Sequence, residues 1–491
     1  MLVDRERELA ELDGLLTAPA ARLVAVTGRR RLGKTTLLLH WAKSSGHPYL
    51  YWVASHFPST VLLRQFSQLV WQHANPGGRA PRTFSYEDWP QALEELAGAC
   101  QGEPSPGQGP HIVILDEFPY AVASEPGLPS ALQNAWDHHL RSSNVCIVLC
   151  GSHVGMMEQL VDAHAPLYGR MAGPLQVRPL PFEAMTAFFP KYNAEQRVAV
   201  YAMLGGVPAY LEQFSDDLSL SANVRQHLFR ETGLFRTDPD YLIGEQVRDL
   251  SNYQSVLSAI AGGARQPAEI ALAAGLPQGS AADPYLSRLV EMDYVRRELP
   301  VTVPPAKRPG SRLSRYVLAD HYLRFYFRFV RPHLDLLAQR LYDQVWDRIS
   351  EQLRAFIGMT VFEELCRAWV LAKARADRLP FAVEQVGAHW GGGVQVDVVA
   401  INWREKALLL GEAKWGTEAV KRDVVRELIA EKTPQVLKTL PDAGEGWTVH
   451  YAFFARAGFT DAARGEAESV GAQMVDLERL DADLRHALVT L

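Results

Sequence analysis

The chain has 491 residues, of which 47% are hydrophobic and 22% charged, the proportions of a globular protein and not of a disordered or fibrous one. The formal net charge is −6, so a nucleic acid would have to bind at local basic patches. The four cysteines lack CxxC spacing, which favours buried thiols in a reducing cytoplasm over a structural zinc site. Because no apolar run reaches the 18 or so residues that span a bilayer, we expect a cytoplasmic protein without a membrane partner.

The first 180 residues have the pattern of a parallel α/β sheet. Short apolar runs alternate with amphipathic stretches, as in sheets that are covered by helices on both faces. A segment rich in Gly and Pro, 101–111, reads as an exposed loop ahead of the third strand. The predicted strands of this first domain (1–180) are 22–27, 48–53, 111–115, 145–150 and 175–177.

A glycine-rich segment, GRRRLGKT, joins the first strand to the following helix and matches GxxxxGK[ST], the phosphate-binding loop. The backbone amides of such a loop surround the phosphates. Lys34 is placed to reach the β- and γ-phosphates, and the Thr35 hydroxyl to ligate Mg²⁺. The sequence therefore predicts ATP and Mg²⁺ as cofactors, bound by Gly28, Arg29, Arg30, Arg31, Leu32, Gly33, Lys34, Thr35 and Thr36.

Two acidic residues end the third predicted strand, HIVILDE. Asp116 is placed to hold Mg²⁺ and Glu117 to orient and deprotonate the attacking water, the pattern of a Walker B strand. An ordinary strand-end turn is the alternative, but an apolar strand about eighty residues after a phosphate loop favours the Walker B interpretation. Ser152 follows the next strand and is a candidate sensor of the γ-phosphate; a turn serine fits the sequence as well.

Arg170 ends a short segment, LYGR, at the edge of this domain. A guanidinium there could serve as an arginine finger for nucleotide that is bound by another subunit, which would require at least transient formation of a homo-oligomer. The alternative is a salt bridge within the same domain, for example to a carboxylate of the helical lid that follows.

Beyond residue 180 the pattern becomes helical. We predict a helical lid over 181–245, with helices at 194–204 and 209–214, and a winged-helix domain over 246–332. The winged helix is indicated by three short amphipathic helices followed by a hairpin, 294–299 and 314–318. Its wing carries four basic residues that either contact DNA phosphates or belong to a hairpin tip facing solvent or protein: Lys307, Arg308, Arg312 and Arg315.

Strand patterns return in the last domain, 333–491, with predicted strands at 381–384, 393–400, 407–413, 449–455 and 473–476. Asp397, Glu412 and Lys414 form a D…ExK arrangement, in which residues two apart on a strand share one face. The carboxylates would bind Mg²⁺ or Mn²⁺ and the lysine would stabilise charge in phosphodiester hydrolysis. Glu363, on the preceding helix, would complete the site, whereas Gln395 stands where a further acid would strengthen metal binding. A buried structural ion-pair network is the alternative.

Several segments together carry a family resemblance: VDREREL, GRRRLGKTT, VILDEFPY, LCGSHVGMM, LYGR and GGVPAYL. They resemble prokaryotic ATPases of the AAA+/STAND superfamily, in the archaeal-type clade. The resemblance implies that Val3, Asp4 and Arg5 flank the adenine and that Gly206 and Pro208 lie where the lid approaches the nucleotide. Without it, Arg5 would be read as part of a solvated first helical turn, and GGVP as a helix-breaking turn.

The last domain resembles the PD-(D/E)xK restriction-endonuclease-like superfamily, and more closely the domain of unknown function that often follows such ATPases. We therefore expect an α/β fold: a P-loop NTPase parallel sheet, a helical lid, a winged helix and a C-terminal restriction-endonuclease-like domain. The expected function is an ATP-binding and ATP-hydrolysing switch that binds DNA and cleaves it with a metal ion. The alternative is a regulatory or signalling ATPase whose C-terminal fold binds a partner without catalysis.

Overall fold

The computed structural model describes residues 2–17, 20–100, 109–277 and 280–487. Most of the loop predicted over 101–111 lies outside these residues. The chain forms two compact units, and the first comprises Met1–Pro179 with Val207–Ala209 and Glu291–Asp293. The second comprises Leu180–Gly206, Tyr210–Val290 and Tyr294–Leu491. The boundaries predicted at 246 and 333 within the second unit stay predictions.

The first unit contains a five-stranded parallel sheet in the order β2-β3-β4-β1-β5, which confirms the predicted fold class. The three central strands, β3, β4 and β1, are almost entirely buried because they are rich in Val, Ile, Leu and Ala, whereas the edge strands β2 and β5 each have exposed residues at both ends. They are β1 (Arg22–Thr27), β2 (Tyr49–Val53), β3 (His111–Asp116), β4 (Val145–Gly151) and β5 (Pro174–Gln176).

In the described part of this unit, seven α-helices accompany the sheet. Among the core contacts, Trp52 of β2 packs edge-on against Phe66 and Trp89 of two neighbouring helices, with ring centroids 5.5 and 5.8 Å away. The helices are α1 (Glu6–Leu16), α2 (Lys34–Ser44), α3 (Ser59–Ala74), α4 (Trp89–Ala99), α5 (Phe118–Ser124), α6 (Leu128–His138) and α7 (Val154–Val161).

The middle of the chain is helical and ends in an antiparallel hairpin that pairs Val295 with Leu318. Of the two helices predicted for the lid, 194–204 is confirmed and begins with a capping box between Asn193 and Gln196, whereas 209–214 is helical only over Pro208–Leu211. The elements are α8 (Met185–Phe188), α9 (Ala194–Leu204), α10 (Pro208–Leu211), α11 (Leu220–Asn223), α12 (Leu234–Gly244), α13 (Leu250–Ala261), α14 (Pro267–Ala273), α15 (Asp283–Glu291), β6 (Val295–Glu298) and β7 (Arg315–Leu318).

The C-terminal part of the chain contains a second five-stranded sheet, in the order β12-β11-β10-β9-β8. Its strands β10, β11 and β12 are parallel, whereas β8, β9 and β10 are antiparallel. The strands are β8 (Gln385–Gly391), β9 (Val394–Asn402), β10 (Ala407–Lys414), β11 (Thr448–Ala455) and β12 (Gln473–Asp476), and the helices are α16 (His321–Phe325), α17 (Leu334–Ala338), α18 (Tyr342–Ile357), α19 (Glu363–Arg375), α20 (Arg422–Arg426), α21 (Thr433–Thr439), α22 (Asp461–Glu468) and α23 (Leu477–Ala487).

One predicted strand is wrong. Residues 381–384 are irregular, and the strand begins only at Gln385. The missed strand β8 ends at the first of three consecutive glycines with positive φ, Gly391, Gly392 and Gly393, which turn the chain into β9. Among the described residues, no helix is both long and apolar enough to cross a membrane.

Candidate functional site

The phosphate-binding loop connects β1 to α2 and contains two glycines at positive φ. At Gly28 (φ +147°) a Cβ atom would lie 2.4 Å from the carbonyl oxygen of Val177, so the close approach of the two segments requires glycine. Gly33 (φ +82°) caps α2 in the left-handed conformation. Arg29, Arg31 and Leu32 lie in this loop and Thr36 in the first turn of α2, while Arg30 donates from Nη2 to the Tyr120 hydroxyl at 2.5 Å.

Lys34 is buried within this loop, with 7% of its surface exposed. Its Nζ donates to the carbonyl oxygens of Gly28 and Arg29, at 2.8 and 3.0 Å. Burial lowers the pKa of Lys34, although nearby acidic groups, among them Glu117 and Asp116, act in the opposite direction. The loop thus holds a desolvated ammonium next to glycine backbone, an environment that suits a phosphate anion.

Asp116 at the end of β3 contacts the phosphate-binding loop. Its Oδ2 accepts hydrogen bonds from the Thr35 hydroxyl at 2.6 Å and from the Tyr51 hydroxyl at 3.1 Å. Tyr51, which we did not predict, lies on β2, and burial together with the charge of Asp116 raises the pKa of its hydroxyl. Thr35 and Asp116 are therefore oriented towards the same point, where a magnesium ion could contact both oxygens.

Glu117 has a left-handed backbone (φ +50°), which is uncommon for a residue with a side chain. Both of its carboxylate oxygens lie near the Ser152 hydroxyl, at 3.1 and 3.0 Å. This contact follows from the strand order, since β4, which precedes Ser152, lies directly beside β3. The structure thus places the Ser152 hydroxyl next to the carboxylate that would orient and deprotonate the attacking water. A role of Ser152 at the γ-phosphate stays a prediction.

Arg5 is almost completely buried, in contrast to a solvated first helical turn. Its guanidinium donates to the carbonyl oxygens of Leu32 and Arg178, at 3.0 and 2.9 Å, and pairs with Glu8 at 2.7 Å. Arg5 therefore links the N-terminal segment to the phosphate-binding loop. Val3 and Asp4 precede it and are half-buried, and burial raises the pKa of Asp4.

Arg170 forms a two-pronged ion pair with Asp137 of α6. Nε and Nη2 lie 2.8 and 2.6 Å from the two carboxylate oxygens, and Nη1 donates to the carbonyl oxygens of Pro166 and Tyr168. The structure therefore contains the salt bridge that was the alternative to an arginine finger. Its carboxylate belongs to the ATPase-like core and not to the lid. Because both side chains are partly exposed, this pair contributes little stability and could exchange partners.

The GGVP segment makes a close backbone contact. Leu180 N donates to the Gly206 carbonyl oxygen at 2.7 Å, and a Cβ atom on Gly206 would lie 1.7 Å from the carbonyl oxygen of Leu180. Glycine is therefore required at this position, and Pro208 begins α10. That these residues meet a nucleotide stays a prediction.

The predicted wing packs along strand β8. Val301 N donates to the Ala388 carbonyl oxygen at 3.1 Å, and Trp390 Nε1 donates to that of Leu313 at 2.7 Å. Arg308 bonds to Gln385, and Arg315 lies 4.6 Å above the Trp390 ring. Two of the four wing residues therefore bind protein in this structure, and the exposed pair is Lys307 and Arg312.

The D…ExK residues converge at one end of β9 and β10. Asp397 Oδ2 accepts a hydrogen bond from Ala413 N at 3.1 Å, and Glu412 pairs with Lys414 at 2.6 Å. Arg367 of α19 donates to the Asp397 carbonyl oxygen at 2.8 Å and lies 3.5 Å from the Glu363 carboxylate. Arg367 thus connects Glu363 to the backbone of Asp397, but among the described residues the ligand oxygens of Glu363, Asp397 and Glu412 do not all lie within 4.8 Å of one another, so the three-carboxylate site stays a prediction.

The electrostatics of these carboxylates show mutual repulsion. Burial and the charge of Asp397 raise the pKa of Glu363 to about 8, and burial and the charge of Glu412 raise that of Asp397. Buried acids that repel one another gain from a shared divalent cation, and their hard oxygen atoms suit Mg²⁺ or Mn²⁺. The oxygen donors are of the type that suits the predicted ion, and the binding of a metal here stays a prediction.

The neighbouring Glu364 has a different environment. It accepts hydrogen bonds from Arg324 at 2.9 Å and from His321 at 3.0 Å. Burial would raise its pKa, but Arg324 and His321 outweigh burial and hold the pKa of Glu364 well below its usual range. Glu364 is thus a structural anion, which leaves Glu363 as the acid that faces the site.

A second lysine at this site was missed by the sequence analysis. Lys432 Nζ donates to Glu412 Oε1 at 2.8 Å, while Lys414 occupies Oε2. Burial opposes the charged form of Lys432, but the hydrogen bond and the charge of Glu412 outweigh it and raise the pKa. Lys432 ends a π-helical segment, Glu427–Lys432, and no sequence motif links it to D…ExK.

Two family matches cover separate parts of the chain. Residues 2–214 match a family described as an ATPase domain predominantly from Archaea. Residues 326–427 match a family of archaeal and bacterial proteins of unknown function. The second match includes Glu363, Asp397, Glu412 and Lys414, but ends before Lys432.

Comparison with single proteins gives distant similarities. An uncharacterized protein of Methanocaldococcus jannaschii is 28% identical over 416 residues, 84% of this chain and 88% of that protein. A Walker-type ATPase of Pyrococcus abyssi aligns with a TM-score of 0.46 at 21% identity, over 67% of this chain and 96% of the other. The ORC2 protein of Aeropyrum pernix aligns with a TM-score of 0.41 at 15% identity, over 69% and 95% of the two chains.

Proposed function

Because the chain carries an archaeal-type P-loop ATPase domain ahead of a domain from a family of unknown function, we propose that it is an ATP-hydrolysing switch that acts on DNA. The observation that supports ATP hydrolysis best is the 2.6 Å contact between Thr35 and Asp116, next to the buried Lys34. These are the groups that bind phosphate and Mg²⁺ in P-loop proteins. When bound, Mg²⁺ would neutralise charge on the β- and γ-phosphates.

Different residues would have different roles at the nucleotide-binding site. Lys34 would leave the carbonyls of Gly28 and Arg29 to contact phosphate oxygens, while the amides of the loop bind the remaining oxygens. Glu117 would accept a proton from the attacking water, and Ser152 would hold its carboxylate in position. We also keep Arg170 as the candidate finger from a second subunit, released from Asp137.

The switch would act through the lid. Helix α9 belongs to the same compact unit as the C-terminal sheet. It is joined to the C-terminal domain by a buried ion pair, Arg197 with Asp481 at 2.7 Å, and by an exposed one, Glu195 with Arg456 at 2.8 Å. A movement of the lid on nucleotide binding would therefore carry the C-terminal domain with it.

For the C-terminal domain we propose metal-dependent cleavage of DNA. Glu363, Asp397 and Glu412 would bind Mg²⁺ or Mn²⁺, which lowers the pKa of bound water. Lys414 and Lys432 would then turn from Glu412 towards the scissile phosphate, whose negative charge increases in the transition state. The exposed wing residues Lys307 and Arg312 would contribute phosphate contacts.

One observation favours a second function. Both oxygens of the buried Glu412 are already paired with lysines, so a metal ion has to displace at least one of them. If that exchange does not occur, the network is structural, and the protein is a regulatory ATPase whose C-terminal fold binds a partner.

An experiment separates the two functions. The full-length protein is incubated with plasmid, linear and branched DNA, with Mg²⁺ or Mn²⁺ and with or without ATP. We expect nicking or cleavage that needs the metal and changes with ATP. ATP hydrolysis without cleavage under any metal would contradict the nuclease proposal and leave the regulatory ATPase. The absence of both activities would contradict the proposed function as a whole.

A further inference from the structure

Two histidines and a cysteine meet in the first unit, away from the carboxyl ends of the strands where the phosphate-binding loop lies. His73 comes from the last turn of α3, Cys100 caps the end of α4, and His111 is the first residue of β3. Their ligand atoms all lie within 4.8 Å of one another, and His73 Nε2 is 2.8 Å from His111 Nδ1. Among the described residues, this is the one such group of three His, Cys, Asp or Glu side chains.

The protonation states suit metal binding. Burial lowers the pKa of both histidines, so the imidazoles are neutral near pH 7, the form that ligates a metal. Burial raises the pKa of the Cys100 thiol to about 12, so this thiol stays protonated without a cation next to it. A bound metal ion would supply that cation and release the thiol proton to solvent.

The distances allow a metal ion after a small adjustment. With zinc–nitrogen bonds of about 2.0–2.1 Å and a zinc–sulfur bond of about 2.3 Å, tetrahedral ligand atoms lie roughly 3.4–3.6 Å apart. The two imidazole nitrogens would move apart from 2.8 Å, and the remaining pairs are already within 4.8 Å. Rotation of the half-buried His73 side chain on the last turn of α3 would provide this change.

We propose that His73, Cys100 and His111 form a binding site for one Zn²⁺ ion, with the fourth position open to a solvent molecule. Two imidazoles and a thiolate select zinc and similar transition metals over Mg²⁺. The site is therefore chemically distinct from both predicted Mg²⁺ sites, whose ligands are oxygen atoms. The spacing of 26 and 10 residues between these three ligands matches no short zinc motif, which explains why the sequence did not reveal it.

The position of the site, not its ligand number, indicates a stabilising role. A shared metal would tie the ends of α3 and α4 to the beginning of β3. Asp116 is five residues further along this strand, about 17 Å away at 3.3 Å per residue. The metal would therefore stabilise the Walker B strand without contacting the nucleotide, and its effect on stability should exceed its effect on hydrolysis.

Cobalt is the probe for the test, because Co²⁺ replaces Zn²⁺ and absorbs visible light strongly in tetrahedral sites. The full-length protein, freed of metal with a chelator, is titrated with Co²⁺. We expect one equivalent to produce a thiolate-to-cobalt charge-transfer band, which Zn²⁺ abolishes. Cys100→Ser should lose this band, His73→Gln should weaken Co²⁺ binding by more than about tenfold, and Cys146→Ser is the matched control. No band in the wild type, or a band that survives in Cys100→Ser, would overturn the proposal.

Thermal unfolding gives a second measurement, which does not depend on whether Cys100→Ser folds well. Zn²⁺ should raise the unfolding temperature of the wild type and of Cys146→Ser, because a ligand that binds the native state stabilises it. At the same concentration it should raise the unfolding temperature of His73→Gln by clearly less, because this variant binds the metal more weakly. An equal increase in wild type and His73→Gln would place the metal elsewhere and contradict the site.

Discussion

Arg197 on α9 and Asp481 on α23 form an ion pair at 2.7 Å although they are 284 positions apart in the sequence. Asp481 is 1% exposed and also pairs with Arg485 at 2.9 Å, within its own helix. The predicted lid and the last helix of the C-terminal domain thus share a buried carboxylate, in addition to the exposed ion pair of Glu195 with Arg456. This contact is the physical basis for expecting lid and C-terminal domain to move together.

Removal of this carboxylate should destabilise the second unit. Asp481→Ala leaves the Arg197 guanidinium buried without its counter-ion, which costs about 3–5 kcal/mol. We expect a lower unfolding temperature by differential scanning calorimetry. Asp217→Ala is the matched control, since its ion pair with Lys191 is exposed and should contribute almost nothing. Equal unfolding temperatures for wild type and Asp481→Ala would contradict the coupling.

ATP binding and hydrolysis should separate in two variants. Lys34→Ala should lose most of its affinity for Mg-ATP, because the ammonium that would contact the phosphates is gone. Glu117→Gln should bind ATP normally but hydrolyse it at least about a hundredfold more slowly, because an amide cannot accept the water proton. Calorimetric titration and phosphate release measure the two steps. Wild-type affinity in Lys34→Ala would remove the assignment.

The nuclease prediction rests on Asp397 and on the two lysines that pair with Glu412, which are Lys414 and Lys432. Asp397→Ala and Lys414→Ala should abolish metal-dependent cleavage and leave ATP hydrolysis largely intact, because the two reactions use separate domains. Lys432→Met should reduce cleavage in the same way, since Lys432 pairs with the same carboxylate. Cleavage is followed on plasmid DNA. Activity that persists in both Asp397→Ala and Lys414→Ala would point to a contaminant or to another site.

Glu363 predicts a pH dependence of stability in the absence of metal. The pKa of Glu363 is raised from 4.5 to about 8 in the folded protein. Between these two pH values, the folded state therefore keeps a proton that the unfolded state has already released. The contribution of this proton to the free energy of unfolding is fully present below pH 4.5. It is lost as the pH rises through 8, by at most about 1.4 kcal/mol per pH unit. The stability of Glu363→Gln should therefore fall less than that of the wild type between pH values of roughly 5 and 8, the interval in which this proton is released.

Thermal unfolding in a chelator at several pH values checks this prediction. Mg²⁺ binding should have the opposite pH dependence and strengthen with rising pH, because the metal requires the ionised carboxylate. Parallel pH profiles of wild type and Glu363→Gln would show that Glu363 is not the group that titrates.

Arg170 leads to a complementation experiment. If its guanidinium acts on nucleotide in another subunit, a mixture of the inactive Lys34→Ala and Arg170→Ala proteins should regain activity that rises with protein concentration. Asp137→Asn is the informative control, because it breaks the ion pair and leaves the guanidinium available. A mixture that stays inactive, together with equal losses in Arg170→Ala and Asp137→Asn, would show that the ion pair is structural.

The sequence by itself determined the local elements and the two main motifs. The strands of the first sheet, and the helix at 194–204, follow from apolar runs and periodicity, which depend only on neighbouring residues. The phosphate-binding loop and the DE pair could likewise be recognised because their chemistry requires fixed spacing. The irregular segment at 381–384 and the missed β8 mark the limit of this approach, since short apolar runs do not distinguish a strand from a packed loop.

Only the tertiary structure decided which distant residues meet. The strand order places β4 beside β3, so Ser152 reaches Glu117, and Arg5 becomes buried against Leu32. Packing of a π-helical segment brings Lys432 to Glu412, and the predicted wing, for which the sequence left both DNA and protein contacts open, lies along β8. Such contacts join residues that are far apart in the chain. They form only when the secondary-structure elements pack together and buried charged groups require hydrogen-bond or ion-pair partners, so local propensity carries no information about them.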